Sequence, residues 1–119
     1  MFNDASGFSA IYIACGYTDL RLGIDGLSRL VENRYGIEPF QTNTLFLFCG
    51  RRTDRIKGLV WEQDGFLLLY KRLEKGRFQW PRNEQDVRAM SEQQFRWLME
   101  GLTLEPKQKV HRVKPSRSG

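Results

Sequence analysis

Between residues 51 and 82 the chain gathers nine Lys and Arg, at positions 51, 52, 55, 57, 71, 72, 75, 77 and 82, against four acids at 54, 62, 64 and 74. Such a block suits one kind of chemistry, the holding of an anion with several negative charges, because Arg offers a planar fork of donors and Lys a point charge. Elsewhere the balance reverses. Residues 1–50 carry three Arg against five acids, and residues 83–105 two Arg against five acids. Residues 106–119 carry five Lys and Arg and no acid, which brings the whole chain to a net charge of +5. Positive charge is therefore concentrated in two blocks, and a polyanion is the partner that such blocks attract.

Catalytic chemistry finds little to work with. The single histidine, His111, falls in the last basic block and reads as a solvated residue. Cys15 and Cys49 stand far apart, so no zinc-ligand spacing exists, and the pair reads as two small buried hydrophobes in a reducing cytoplasm. There is no phosphate-cradling glycine loop of the nucleotide-hydrolase kind and no nucleophile elbow. Strand transfer on two metal ions requires clustered carboxylates. The acids Asp19, Asp25, Glu38, Asp54, Glu62 and Asp64 are scattered. Asp19 is explained as a helix-start residue, Asp64 as a turn residue and Asp54 as the partner of neighbouring arginines, while Asp25 has no evident role. The sequence thus predicts a protein without catalytic residues, metal or cofactor.

The elements that must position the basic block can be read from apolar patterning. Ile11–Ala14 suits a short strand. Thr18-Asp19 reads as a helix start, since a Thr hydroxyl caps free N–H groups and Asp favours the positive helix end. Leu20, Ile24, Leu27, Leu30 and Val31 follow at helical spacing, and Gly36 is a stop. Thr44–Cys49 is a short apolar run suited to a strand buried on both faces, Arg55–Trp61 a second strand and Phe66–Arg72 a third, with Asp64-Gly65 as the hairpin turn. Gly76–Pro81 reads as one more extended piece. Ser91 and Gln94 match a capping box, ahead of an apolar helical face of Phe95, Leu98, Met99 and Leu102 that Gly101 ends. The expected class is α+β: a small antiparallel sheet, a three-strand meander with possible short extra strands, one helix before it and one after.

A chain of 119 residues suits one domain. The boundaries are a flexible N-terminus over 1–9, a single domain over 10–105 and a disordered basic tail over 106–119. Hydrophobic residues at 40% supply an ordinary core, and charged residues at 28% a soluble surface. No apolar run approaches the roughly 18 residues of a membrane span. The start Met1-Phe2-Asn3-Asp4 lacks the basic and apolar regions of a secretory signal. The expected location is the cytoplasm.

In the meander, strand one runs up to Cys49, so the turn at Arg51-Arg52 lies at the top. Strand two leaves from there with Arg55 and Lys57, and strand three returns there with Lys71 and Arg72. Lys75 and Arg77 follow directly. These eight residues form the predicted DNA-binding cluster, with phosphate contact by Lys and Arg as its chemistry. The competing reading is a solvated rim in which Asp54 and Glu74 pair with their neighbours, but four acids cannot neutralise nine bases. Trp80 and Tyr70 are placed either to stack on a base or to fill the core. The tail reads either as a solubility tail or as a source of non-specific phosphate contact.

Several stretches resemble a known family. Thr18-Asp19-Leu20-Arg21 with Gly23–Leu27, Leu45–Lys57, Trp61 with Asp64-Gly65-Phe66, Leu69–Phe78 with Trp80-Pro81, and the closing Leu98–Leu102 are similar to the accessory TnpB proteins of insertion-sequence family sixty-six, also described as its second-open-reading-frame proteins. The resemblance spans about Ala10 to Leu104 and leaves out the 106–119 tail. It implies a small protein encoded beside a transposase and needed for efficient transposition, with the transposase and the element's other accessory protein as partners and no membrane. It implies no known biochemical activity. Two functions follow as expectations: DNA binding through the basic sheet end in support of the transposase, or a protein-interaction module that docks the transposase without touching DNA.

Overall fold

The computed structural model describes residues 7–82 and 87–101. The basic 106–119 segment with His111, most of the 1–9 segment, and Leu102 on the predicted final helical face lie outside the described residues.

Five strands form one sheet. They are β1 (Ala10–Ala14), β2 (Thr44–Cys49), β3 (Arg55–Trp61), β4 (Phe66–Arg72) and β5 (Val87–Met90), in the spatial order β4-β3-β2-β1-β5. The three-strand meander is present as expected: β2 pairs antiparallel with β3, and β3 with β4. The sheet as a whole is mixed rather than antiparallel. β1 lies parallel to β2, with Ile11 opposite Leu45 and Ile13 opposite Leu47, while β5 closes the other side of β1 in antiparallel register. The parallel pair has a simple cause, because two strands joined through a helix return in the same direction. Gly76–Pro81 takes no place in the sheet. The added strand is Val87–Met90 instead.

The helical crossover sits between β1 and β2, not before the sheet. It begins at Ile24 with α1 (Ile24–Arg29) and widens into a π-helical turn over Leu30–Arg34. It ends at Gly36 (φ 68°), whose N–H donates to the Glu32 carbonyl while the Ile37 N–H donates to that of Val31. Thr18-Asp19 does not start this helix. The Thr18 N–H is instead bound to the Cys49 carbonyl at 2.8 Å, which holds the segment against the sheet end, and Asp19 folds a local turn by accepting the Arg21 N–H at 3.0 Å. Short polar side chains favour such turns as readily as helix caps. Asp25, which had no role in the sequence, occupies the first turn of α1, where a negative charge is favoured.

Strand alternation sends side chains to two cores. Leu45, Leu47 and Cys49 join Ile56, Val60, Phe78, Trp80, Phe95 and Leu98 on one face. Phe46 and Phe48 join Leu27, Val31 and Leu59 on the other, under the crossover helix. The first face is covered by α2 (Glu92–Met99), where the Ser91 hydroxyl accepts the Gln94 N–H and the Gln94 side chain accepts the Ser91 N–H, the reciprocal cap foreseen. β2, buried along its full length, is the shared middle layer.

Both cysteines are buried free thiols. Burial pushes the Cys49 thiol up to about 11, the nearby Arg82 pulling weakly the other way. The folded chain therefore favours the protonated thiol, so this group leaves stability intact below pH 9 and erodes it as pH rises from about 9 to about 11, where the unfolded chain ionises first. The loss attributable to this thiol is about 2–3 kcal/mol at most. Urea unfolding at pH 8 and pH 11 checks it: Cys49→Ala is expected to show a smaller alkaline decline than the parent, and an equal decline removes Cys49 from the account.

Candidate nucleic-acid interface

The basic end of the sheet is built where β2 ends, β3 begins and β4 finishes. Three backbone devices hold it. Gly16, at φ 80°, turns the chain after β1 through a conformation that a side chain disfavours, and its N–H donates to the Pro81 carbonyl at 2.8 Å. The Leu73 N–H donates to the Asp54 carbonyl and the Phe78 N–H to that of Thr53, each at 2.7 Å, so the stretch after β4 folds back over the 51–54 turn. Arg82 is the third device: its guanidinium donates to the carbonyls of Gly16 at 3.0 Å, Gly50 at 2.6 Å and Arg51 at 3.0 Å. The sequence counted Arg82 only as one of nine charges. Its role as an internal tie has no sequence signal beyond the Pro81 beside it.

On the face that carries the crossover helix, a cleft of about 540 Å³ opens, lined by Tyr17, Thr18, Asp19, Leu20, Arg21, Gly50, Arg51, Arg52, Arg55 and Tyr70. Gly50 sits at close quarters there, since a Cβ at that position would lie 3.3 Å from Leu20 Cγ. Four arginines and one carboxylate line the cleft. The carboxylate, Asp19, is clamped by Arg21 through Nε and Nη2 at 3.0 Å each, and hydrogen bonds from Arg21 hold it down at about 2.

The remaining charge is organised around Asp54. Arg55 grips it with Nε at 3.0 Å and Nη2 at 3.3 Å, and Arg52 approaches at 3.8 Å. The Arg55 hydrogen bonds lower the Asp54 pKa and raise that of Arg55, to which Tyr70 also contributes. Arg51 lies over the Tyr17 ring, Cζ 4.2 Å from its centroid, and donates through Nη2 to the Tyr17 hydroxyl at 2.7 Å. Arg52 and Arg51 are both exposed.

The predicted cluster therefore divides. Arg51, Arg52 and Arg55 share the cleft. Lys57, next on the same face of β3, turns inward and donates from Nζ to the Leu22 carbonyl at 3.0 Å, tying the sheet to the chain ahead of α1. Arg72 stands directly opposite Arg55 in the β3–β4 register and pairs loosely with Glu74 at 3.5 Å. Two like charges facing one another across strands repel, and a bound anion relieves that repulsion. Lys71 alternates to the other face of the sheet. Arg77 lines a second depression of about 220 Å³ with Arg51, Arg52, Thr53, Asp54, Leu73, Glu74 and Gly76, and Lys75 is exposed on the loop beside it. Trp80, one of the two aromatic candidates, is core: it is buried and its Nε1 donates to the Ala14 carbonyl at 3.0 Å. Tyr70 remains at the cleft.

Among the described residues, no three His, Cys, Asp or Glu side chains gather as metal ligands would, and no helix is long and apolar enough to cross a membrane. At the opposite end of the sheet, Phe40, Trp61 and Phe66 form an aromatic trio with ring centroids 4.9–5.2 Å apart, and Phe40 is half exposed.

Comparison with known proteins places these features. The chain is 36% identical over 92 residues to the uncharacterized protein y4hO of Sinorhizobium fredii, an alignment covering 77% of this chain and 79% of the relative. It is 33% identical over 92 residues to the uncharacterized protein y4jC of the same organism, covering 77% of this chain and 78% of that one. No solved structure matches. A family model described as IS66 Orf2 like protein matches residues 9–109, which include every strand, both helical segments and the whole basic cleft. The chain thus belongs to the IS66 Orf2 like family, and its role is that of an insertion-sequence accessory protein.

Proposed function

We propose that the protein binds DNA through the arginine cleft at the end of β3 and in this way supports the transposase of its element, contributing binding rather than catalysis. The observation that carries the reading is the grouping of Arg51, Arg52 and Arg55 in one open cleft, with Arg72 across the strand, where Arg52 and Arg55 share the one carboxylate of Asp54 and Arg72 meets Glu74 only loosely. That arrangement keeps positive charge unneutralised at the surface, where phosphates neutralise it and release their counterions. Arg51 and Arg52, projecting from a turn, are placed to reach into a groove. Arg72, at a strand end, suits backbone contact.

The test is a binding titration over a salt series with folded parent and folded Arg51→Ala/Arg52→Ala variant, using element-end and scrambled DNA. Each phosphate contact adds about 0.7–0.9 to the slope of log affinity against log salt. The double variant is expected to bind more weakly and to show a slope shallower by about two units. Incubation of the same samples with magnesium or manganese is expected to leave the DNA intact. Equal affinities and equal slopes for parent and variant would remove this cleft as the DNA site.

A second reading is favoured by the aromatic trio. A half-exposed Phe40 packed on Trp61 and Phe66 is the type of surface that partners bury. In this reading the protein docks the transposase, and co-purification of the two from nuclease-treated extract decides it.

A further inference from the structure

The cleft holds more than charge. Two tyrosines line it, Tyr17 at 43% and Tyr70 at 52% exposure, one on the segment after β1 and the other on β4. Both rings are part-exposed at the cleft. The Arg51 guanidinium already lies over the Tyr17 ring, Cζ 4.2 Å from its centroid, and Arg51 itself lines the cleft. A ring with a guanidinium over it and a second ring are the groups on which an unpaired base stacks, since bases stack on aromatic side chains and on guanidinium groups alike.

A duplex cannot use this surface. Its bases are stacked on each other and paired, and only its backbone and groove edges reach a protein. The volume of about 540 Å³ also exceeds what a backbone phosphate fills, and it admits a nucleotide with its base.

Building on the DNA-binding reading above, we infer that the cleft takes single-stranded DNA, with an unpaired base stacked between the Arg51-capped Tyr17 and Tyr70 and its flanking phosphates on Arg52 and Arg55. In transposition such substrate exists wherever strands have been separated or cut. Tyr70 is a binding residue here through its ring, not its hydroxyl.

The test uses fluorescence anisotropy with three probes of equal length: oligo-dT, the same strand with abasic sites in place of every base, and a duplex. The parent is expected to bind oligo-dT at least about fivefold more tightly than either of the others, since one base stacked on an aromatic contributes about that factor or more. Tyr70→Ala is expected to lose that preference while retaining its affinity for the abasic strand, and Tyr70→Phe to keep it. Circular dichroism melts confirm that both variants fold. Equal affinity of the parent for oligo-dT and abasic strand, or tighter binding of the duplex, overturns the inference and leaves the DNA-binding reading standing. A loss by Tyr70→Ala that is equal for the abasic strand also overturns it, because the ring is then not read by a base. Binding of none of the probes overturns the DNA-binding reading and this inference together.

Discussion

Trp80→Ala is expected to destabilise the fold by about 3–5 kcal/mol, the range for truncating a large aromatic in a packed core. That is a large fraction of the roughly 5–15 kcal/mol by which domains of this size are stable. The indole sits among Phe78, Ile13, Cys49 and the residues of α2 in one core, and its N–H satisfies the Ala14 carbonyl at the end of β1. Truncation therefore opens a cavity and orphans a buried acceptor at once. Trp80→Phe keeps most of the volume and loses the hydrogen bond, so its cost is smaller, about 1–3 kcal/mol. Urea unfolding of both variants gives these values. DNA binding by folded Trp80→Phe is expected to match the parent, because the ring is buried in the core on the sheet face away from the cleft. A folded Trp80→Phe protein that has lost its DNA affinity would show that Trp80 reaches the ligand, contrary to its place in the core.

Arg82→Ala is the second large effect. One guanidinium serves the carbonyls of Gly16, Gly50 and Arg51, which lie on two loops of different sequence origin. Hydrogen bonds from a charged donor contribute about 1.5–3 kcal/mol each, and bonds made by one half-buried group do not add fully, so a loss of about 2–3 kcal/mol is expected. The site feels it too. With the tie gone, the turn that carries Arg51 and Arg52 loses its anchor to the Gly16 loop, and DNA affinity should fall by about tenfold, as loss of positioning costs a binding site. The salt slope should stay nearly unchanged, since Arg82 spends its donors on carbonyls. Arg82→Lys supplies a single nitrogen where the guanidinium used two, so it cannot reach all three carbonyls with the same geometry and is expected to fall in between. A slope lower by a full unit with unchanged melting temperature would instead make Arg82 a phosphate contact.

The sequence carried the local structure well and the long-range pairing poorly. β2, β3 and β4 were each legible with their bounds, because apolar alternation and Asp64-Gly65 are short-range signals. The capping box was legible for the same reason. The parallel pairing of β1 with β2 was implied by the strand, helix and strand already recognised between Ile11 and Cys49, since such a connection brings the second strand back alongside the first. Strand β5 gave almost no signal: its four residues, Val87–Met90, have one charge and two small apolar side chains, and their pairing with β1 is fixed by contacts some 75 residues away. The Thr18-Asp19 reading failed because a Thr-Asp pair serves a turn as well as a helix. At the site, the up-down-up course of the meander is enough to bring Arg51, Arg52, Arg55 and Arg72 to one end of the sheet, and strand alternation is enough to separate Lys71 from them. What composition could not reveal is that Lys57 and Arg82 spend their charge on backbone carbonyls. Net charge counts such residues as free, although their donors face inward.

The place of β4 in the sheet has a further consequence. Among the described residues it has β3 as its single neighbour, so seven residues of backbone, Phe66–Arg72, present an open row of donors and acceptors. An edge of that length, with Leu67, Leu68 and Leu69 in its centre, is a template on which another copy could add a strand. Lys71 and Arg72 act there as gatekeepers, since adding a like-charged strand alongside them is repulsive. Charge at this edge thus opposes the addition of a strand from a second copy. Neutralising the basic end to abolish DNA contact is therefore expected to lower the concentration at which the protein self-associates, and Arg51 and Arg52, which lie off the strand, are the safer positions to change.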